Sequence, residues 1–365
     1  MKVLPIQIQN LLNGKMYRFF FLSIVALSCK KADTGVPLPD YQVANLVSDV
    51  ADFQPETLDQ GLLNPWGIAI GPTGAFWLSD NHSGLTTIYN RDGNVIKQPV
   101  AVPFHGQLHG GTPTGVVFNS TDDFLSPGQG GVTKKALFIY ATENGTVSVW
   151  NGADSTFTVA DRSGFNAVYK GITIGNSGGN NFIYVADFKN ARIDVLDKNF
   201  NYVNRSFSDP GIPPGFAPFN IKQIGGKLFV AYAKQEAPDN DDDESGAGNG
   251  YIDVFNTDGS FLSRFASGGS LNSPWGITEA SAGFGLPVGS ILVGNFGDGH
   301  INVFDNQGKY LGQLKSGKTP IVIAGLWDLT FEDGAIQGSD PNLLYYTAGP
   351  GGETHGVFGH ISKQP

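Results

Sequence analysis

Cysteine occurs once in the 365 residues, at Cys29, so neither a disulfide framework nor a zinc–thiolate site is available to this chain. Charge is also scarce, at 15% of the residues, and the 23 Lys and Arg form no cluster and are outnumbered by 33 Asp and Glu. Nucleic acid is excluded as a partner on that ground, because neutralised phosphates supply most of the affinity for it. Convincing 3.6-residue periodicity is missing, and with it any case for a helical or coiled-coil protein. Glycine, in contrast, is abundant: the 50 Gly and 21 Pro stay below the share at which disorder becomes the default, and 40% of the chain is hydrophobic. That composition belongs to a folded protein with a sizeable core and many tight turns.

The amino terminus reads as a targeting segment. Residues 19–27, Phe-Phe-Phe-Leu-Ser-Ile-Val-Ala-Leu, are too short an apolar run to span a bilayer, and Lys15 and Arg18 stand just before them. The run closes on Ser28-Cys29, which resembles the bacterial lipoprotein cleavage box, in which the thiol is diacylated and becomes the new amino terminus. A free thiol in an uncleaved anchor is the alternative. Residues 1–28 are thus expected to be a signal peptide, with Met16 as an alternative start, and residues 29–40 a tether to the lipid. Cleavage removes Lys2, Lys15 and Arg18 and no acid, which takes the net charge from −10 to −13. Cations or basic partners suit such a surface better than polyanions.

From residue 41 onward one phrase recurs: an opening residue, a small or polar residue, then a branched apolar one. Its six copies are Trp66-Gly67-Ile68, Thr114-Gly115-Val116, Lys170-Gly171-Ile172, Phe219-Asn220-Ile221, Trp275-Gly276-Ile277 and Trp327-Asp328-Leu329. Each precedes a second apolar strand, a turn rich in Gly, Asn and Asp, a third alternating strand and a weaker fourth. Four antiparallel strands per repeat make an all-β, six-bladed β-propeller over residues 41–365, since one blade cannot bury both its faces alone. The sixth repeat ends after its third strand, Val357–Ile361, while residues 42–47 have strand character and no blade of their own. The amino-terminal strand is therefore expected to complete the last blade and close the ring, and a closed ring is expected to be a monomer.

Departures from the repeat mark the candidate ligand-binding residues. Lys170 stands where sibling repeats have Trp, Phe or Thr, Asn220 and Asp328 place polar groups where siblings have glycine, and Trp66, Trp275 and Trp327, with Phe219, offer rings that either stack on a sugar or pack blade on blade. Asn and Asp at those positions can equally satisfy nearby backbone groups. The second strands end in Asp80, Glu143, Asp187, Tyr232, Asn295 and Thr347. Converging oxygens of that kind could hold a divalent cation such as calcium, which takes about six to eight oxygen ligands, or each Asp could cap its own turn. Glu353 and His355, two apart in a Gly-rich loop, could act as base and partner; the alternative is a solvated loop. His105 and His109 lie among glycines that make a helix there untenable, so their spacing carries no metal motif. Gly175-Asn176-Ser177-Gly178-Gly179 matches a nucleophile elbow in letters without its strand-turn-helix context. The acidic run Asp239–Glu244 is expected to be a solvated insertion.

The phrases Asn64-Pro65-Trp66-Gly67-Ile68, Pro274-Trp275-Gly276-Ile277, Gly294-Asn295-Phe296-Gly297-Asp298-Gly299 and His355-Gly356-Val357-Phe358-Gly359 resemble an uncharacterised family of secreted bacterial proteins of similar length. The strand end Tyr184-Val185-Ala186-Asp187 is also similar to NHL-repeat and gluconolactonase-like propellers. The first resemblance implies no activity; the second implies a divalent metal held by Glu, Asn and Asp in the channel, without placing those ligands on this chain. The leading expectation is a propeller lipid-anchored at Cys29, displayed outside the cytoplasm on a bacterial outer membrane, that binds a small-molecule, carbohydrate or protein ligand at its channel mouth. A metal-dependent hydrolase or lactonase and a purely structural envelope protein are the alternatives. We expect Cys29→Ser to shift the protein from the membrane to the soluble fraction on cell fractionation; a wild-type chain recovered wholly soluble ends the anchor reading.

Overall fold

The computed structural model describes residues 37–104, 107–127 and 132–365, so the signal segment, Cys29, most of the tether and His105 lie outside the described residues. No α-helix occurs among the described residues, and none of their helices is long and apolar enough to cross a membrane. Six sheets follow one another along the chain, and the six phrases open their inner strands: Pro65–Ile70, Pro113–Phe118, Tyr169–Ser177, Phe216–Ile224, Pro274–Glu279 and Leu326–Phe331. Blades one to five each add a second, a third and an outer antiparallel strand in sequence order. Blade six takes its inner three strands from the carboxyl end and its outer strand, Tyr41–Ser48, from the amino end. The closing pair runs antiparallel from Tyr41 opposite Lys363 to Ser48 opposite Val357. Tyr41 anchors it by stacking on Phe284 at 4.6 Å and donating its hydroxyl to the Phe284 carbonyl.

Alternation along the strands sends side chains to both faces of every blade, and the two faces meet different neighbours. Six apolar cores result, one per junction. Ile68, Leu78 and Phe358 pack blade six on blade one; Trp77, Val116 and Tyr140 pack one on two; Ile139, Val147 and Ile183 pack two on three. Tyr184, Ile221 and Phe255, then Phe229, Ile277 and Val293, then Leu292, Leu326 and Leu344 continue round the ring. Each fully buried side chain of that size contributes about 1.5–3 kcal/mol, so the junctions carry most of the stability.

At the recurring phrase every inner strand shifts register against its partner, as between Pro65 and Ile68 or between Leu326 and Leu329. The phrase is a β-bulge, repeated in all six blades. The bulge presses each inner strand onto the next one. A Cβ on Gly67 would lie 2.7 Å from the backbone nitrogen of Val116, one on Gly115 2.9 Å from that of Ile172, and one on Gly276 2.7 Å from the Trp327 carbonyl. Only glycine permits that approach.

Asn220 and Asp328 replace glycine at two junctions and bridge the gap with hydrogen bonds. Asn220 donates Nδ2 to the Trp275 carbonyl at 2.7 Å and accepts from Ile221 N–H at 2.8 Å. Asp328 accepts from Ile68 N–H at 2.9 Å and Leu329 N–H at 2.8 Å. Across the first junction the next blade presents a carbonyl, which needs an amide N–H; across the second it presents the Ile68 N–H, which needs a carboxylate oxygen. We expect Asn220→Asp and Asp328→Asn each to cost about 1–3 kcal/mol in urea unfolding, by leaving a buried backbone group without its complement. The double swap should add the two losses. Either single swap with wild-type stability would remove the bridging role.

Candidate functional site

Five of the six opening residues, all but Thr114, meet at one end of the ring axis. Trp66 stacks on Trp327 with centroids 3.5 Å apart, Phe296 stacks on Trp327 at 3.9 Å, and Trp275 stands edge-on to Trp66 at 6.1 Å and to Trp327 at 5.8 Å. Phe219 and Phe188 complete this axial cluster. Trp66, Trp275 and Trp327 are all buried, so these rings pack blade on blade and present no face for a sugar. The channel is plugged at this level by its own side chains.

Lys170 occupies the blade-three position of the same ring and is 1% exposed. Its ammonium lies 4.9 Å above the Trp66 ring, 2.6 Å from Glu143 Oε1 and 3.2 Å from Asp242 Oδ1. Burial works against its charge, but the Glu143 and Asp242 carboxylates outweigh that and hold its pKa above the ordinary lysine value. A lysine thus fills the cation seat over an aromatic floor.

Glu143 also accepts from Asn81 Nδ2 at 2.8 Å. On the opposite side Glu353 accepts from Asn64 Nδ2 at 2.7 Å, while Asn64 Oδ1 takes the Trp327 indole N–H at 2.9 Å. Burial raises the Glu353 pKa, Asn64 lowers it, Glu143 adds to the rise, and Lys170 and His82 oppose it, for a net upward shift. Glu353, Glu143, Lys170 and His82 therefore share one electrostatic environment at the mouth. His355 does not join them through its ring: its Nδ1 lies 2.8 Å from Asp49 Oδ2, and Asp49 Oδ1 accepts from Gly356 N–H.

The acidic run between blade-four strands is largely exposed, as expected of a solvated insertion, but it is also tied down. Gln235 bridges to Asp243, Glu236 N–H bonds the Asp242 carbonyl, and Lys189, Lys170 and Lys234 hold Asp241, Asp242 and Glu244 in turn. It is fastened across the mouth because the lysines of blades three and four face it. Insertion length was the only sequence signal; its counter-ions lie about 10 to 70 residues away along the chain.

The ring of second-strand ends does not gather into a metal site. Asp80 accepts from Thr87 N–H at 2.8 Å within its own blade, and burial raises its pKa well above the usual carboxylate range. Asp187 is held by Asn190, Val168 N–H and Arg192. Asn295 donates to Ser270 and Asp298, and Thr347 donates to the Trp66 carbonyl. Asp80 Oδ1 and Asn295 Oδ1 are buried without a partner, yet they belong to blades one and five. Among the described residues no three His, Cys, Asp or Glu side chains lie together as metal ligands. The set present does not fit the divalent metal that a gluconolactonase-like fold implies.

An uncharacterized protein of Acanthamoeba polyphaga mimivirus, R648, is 35% identical to this chain over 337 residues, covering 89% of the chain and 80% of its own length. A second mimivirus protein, L690, is 36% identical over 319 residues, covering 84% and 81%. The chain belongs to their family. No family model matches it. Among solved structures, a streptogramin B lyase aligns over 89% of this chain and 97% of its own with a TM-score of 0.53 at 13% identity. A putative gluconolactonase aligns over 89% and 92% with a TM-score of 0.52 at 15% identity. Identities that low establish the shared propeller fold and nothing further. Both of these relatives are viral, and they lend no support to the expected family of secreted bacterial proteins.

We expect Lys170→Met to destabilise the protein by about 1–3 kcal/mol, less than the ~3–5 kcal/mol of a fully buried pair because Glu143 and Asp242 reach solvent. The same change should alter tryptophan emission by removing the cation over Trp66. Unchanged stability together with unchanged emission would discard the cation seat.

Proposed function

We propose that this propeller is a binding protein without chemistry of its own, tethered through lipid at Cys29 outside the cytoplasm, and that its mouth receives a basic ligand. The observation that carries the reading is the excess of carboxylates near one buried cation: Glu143 and Asp242 pair with Lys170, half-buried Asp243 and Glu353 stand within its field, and Lys189 and Lys234 are taken up by Asp241 and Glu244. Lys170 neutralises part of that field and orders the carboxylates; the remainder faces solvent and attracts positive charge. Among the described residues the mouth holds no nucleophile–base–orienter chain, which supports binding rather than turnover.

The aromatic plug favours a second reading, a purely structural propeller, because a filled channel needs no ligand for stability. The hydrolase alternative predicts a stoichiometric divalent ion in protein purified without chelator and chelator-sensitive opening of small lactones. The binding reading predicts neither.

Spermidine titrated calorimetrically serves as the basic probe. Glu353 stays protonated to a higher pH than an ordinary glutamate of about 4.3, and a protonated carboxyl attracts no cation. Affinity should therefore rise as pH increases through that raised pKa, and Glu353→Gln should flatten the rise. A pH-independent titration, or one that Glu143→Gln and Glu353→Gln both leave unchanged, rejects the acidic mouth as the site.

A further inference from the structure

Arginine is rarer than the lysines would suggest, with six in the chain, at 18, 91, 162, 192, 205 and 264. Arg91 pairs with Glu332 and Arg264 with Asp209 and Asp253. The remaining described three, Arg162, Arg192 and Arg205, line a single cavity of about 480 Å³ on the outer flank of blade three. Its size falls within the ~300–1,000 Å³ range of small-molecule sites.

The cavity exists because the outer strand of this blade is cut short. Tyr202–Val203 pairs only with Leu196 and Val195, whereas the outer strand of blade four pairs at five positions. Beyond Val203 the chain bends toward blade four, where Phe207 packs edge-on to Tyr184 and Phe255. The third-strand edge at Arg192, Ile193 and Asp194 is left without an outer partner, and Asn204 and Ser206 form the facing wall.

Two of the guanidinium planes are fixed by stacking. Arg162 lies 3.9 Å over the Tyr202 ring and Arg205 3.7 Å over Phe182. Arg205 Nη1 donates to the Thr257 carbonyl at 2.7 Å and to Tyr184 at 3.3 Å. Arg192 is set between Asp187 and Asp194 at 3.3 and 3.1 Å, with Arg162 3.6 Å from Asp194. Arg205 Nη2 and Arg192 Nη1 donate to no described residue. Asp187 and Asp194 leave one guanidinium charge in surplus, and Asp258, which faces Arg205 from blade four, is fully exposed and screened.

We infer that this cavity is an oxyanion site for a small acidic sugar, a molecule with one carboxylate or sulfate and several hydroxyls. The pre-oriented guanidinium edges take the oxyanion in a fork. Asn204, Ser206 and the open strand edge take hydroxyls, and a single negative charge matches the surplus. Glucuronate, glucose 6-sulfate and neutral glucose test it by calorimetry on the whole protein. Binding of glucuronate alone assigns a planar carboxylate, and binding of the sulfate alone a tetrahedral group; either supports the site. We expect Arg205→Gln, folded by its thermal melt, to weaken binding about tenfold or more through loss of a charge-assisted bond. Arg91→Gln should leave it unchanged, and Asn204→Ala, on an exposed residue, should weaken it without loss of fold. The inference is overturned if neither acidic sugar binds, if glucose binds as tightly as they do, or if Arg91→Gln and Arg205→Gln have equal effects.

Discussion

Six inner strands must approach one another around a single axis, and every other feature of the molecule follows from how that approach is made. At four junctions glycine removes the Cβ that would collide with the next blade, as at Gly67 and Gly276. At the other two a polar side chain fills the space and bonds across it, an amide where the next strand offers a carbonyl and a carboxylate where it offers an N–H. The bulge that brings the strands together also throws the preceding residue toward the axis. Large rings there meet in the centre, which is why the axial end fills with Trp66, Trp275, Trp327 and Phe219 instead of remaining a pore.

The same geometry explains the electrostatics of the mouth. One repeat carries lysine where four of its siblings carry rings, and the convergence places that ammonium against the face of Trp66, away from water. A buried ammonium is costly unless paired, so Glu143 and the blade-four insertion are drawn to it. The chain spends few charges, but at this end it spends them in contact, with Lys189 and Lys234 securing the rest of the acidic run. The opposite sign gathers elsewhere. A shortened outer strand in blade three opens a cavity that collects three of the arginines, so the ring presents an acidic mouth and a basic flank.

Much of the architecture was legible because it repeats. The Gly-Ile phrases, the turns between them and the unfinished last repeat located six blades and the closing strand Tyr41–Ser48 without any contact information. Partners were not legible. Asn64, Phe188 and Phe296 belong to the axial end: Asn64 stands two residues before Trp66, and Phe188 and Phe296 directly follow the second-strand ends Asp187 and Asn295, but which groups they meet there depends on other blades. The run Asp239–Glu244 reads as solvated because isolated carboxylates prefer water, and it is largely exposed; what its local sequence does not show is that lysines of blades three and four fasten it. The ring of second-strand ends, from Asp80 to Thr347, aligns in sequence, but each side chain turns to its own blade or its neighbour's backbone.

The sequence by itself determined the fold class, the number of blades, the seam of the ring and the positions that break the repeat, because periodic hydrophobicity and turn chemistry are local and recur. Tertiary structure alone decided what those breaks do. Whether Asp328 and Asn220 bind a ligand or clamp a junction, and whether a tryptophan faces a sugar or another tryptophan, depends on which backbone groups and rings arrive opposite them. Residues dozens to hundreds of positions apart supply those groups, and only closure of the ring brings them within hydrogen-bonding distance.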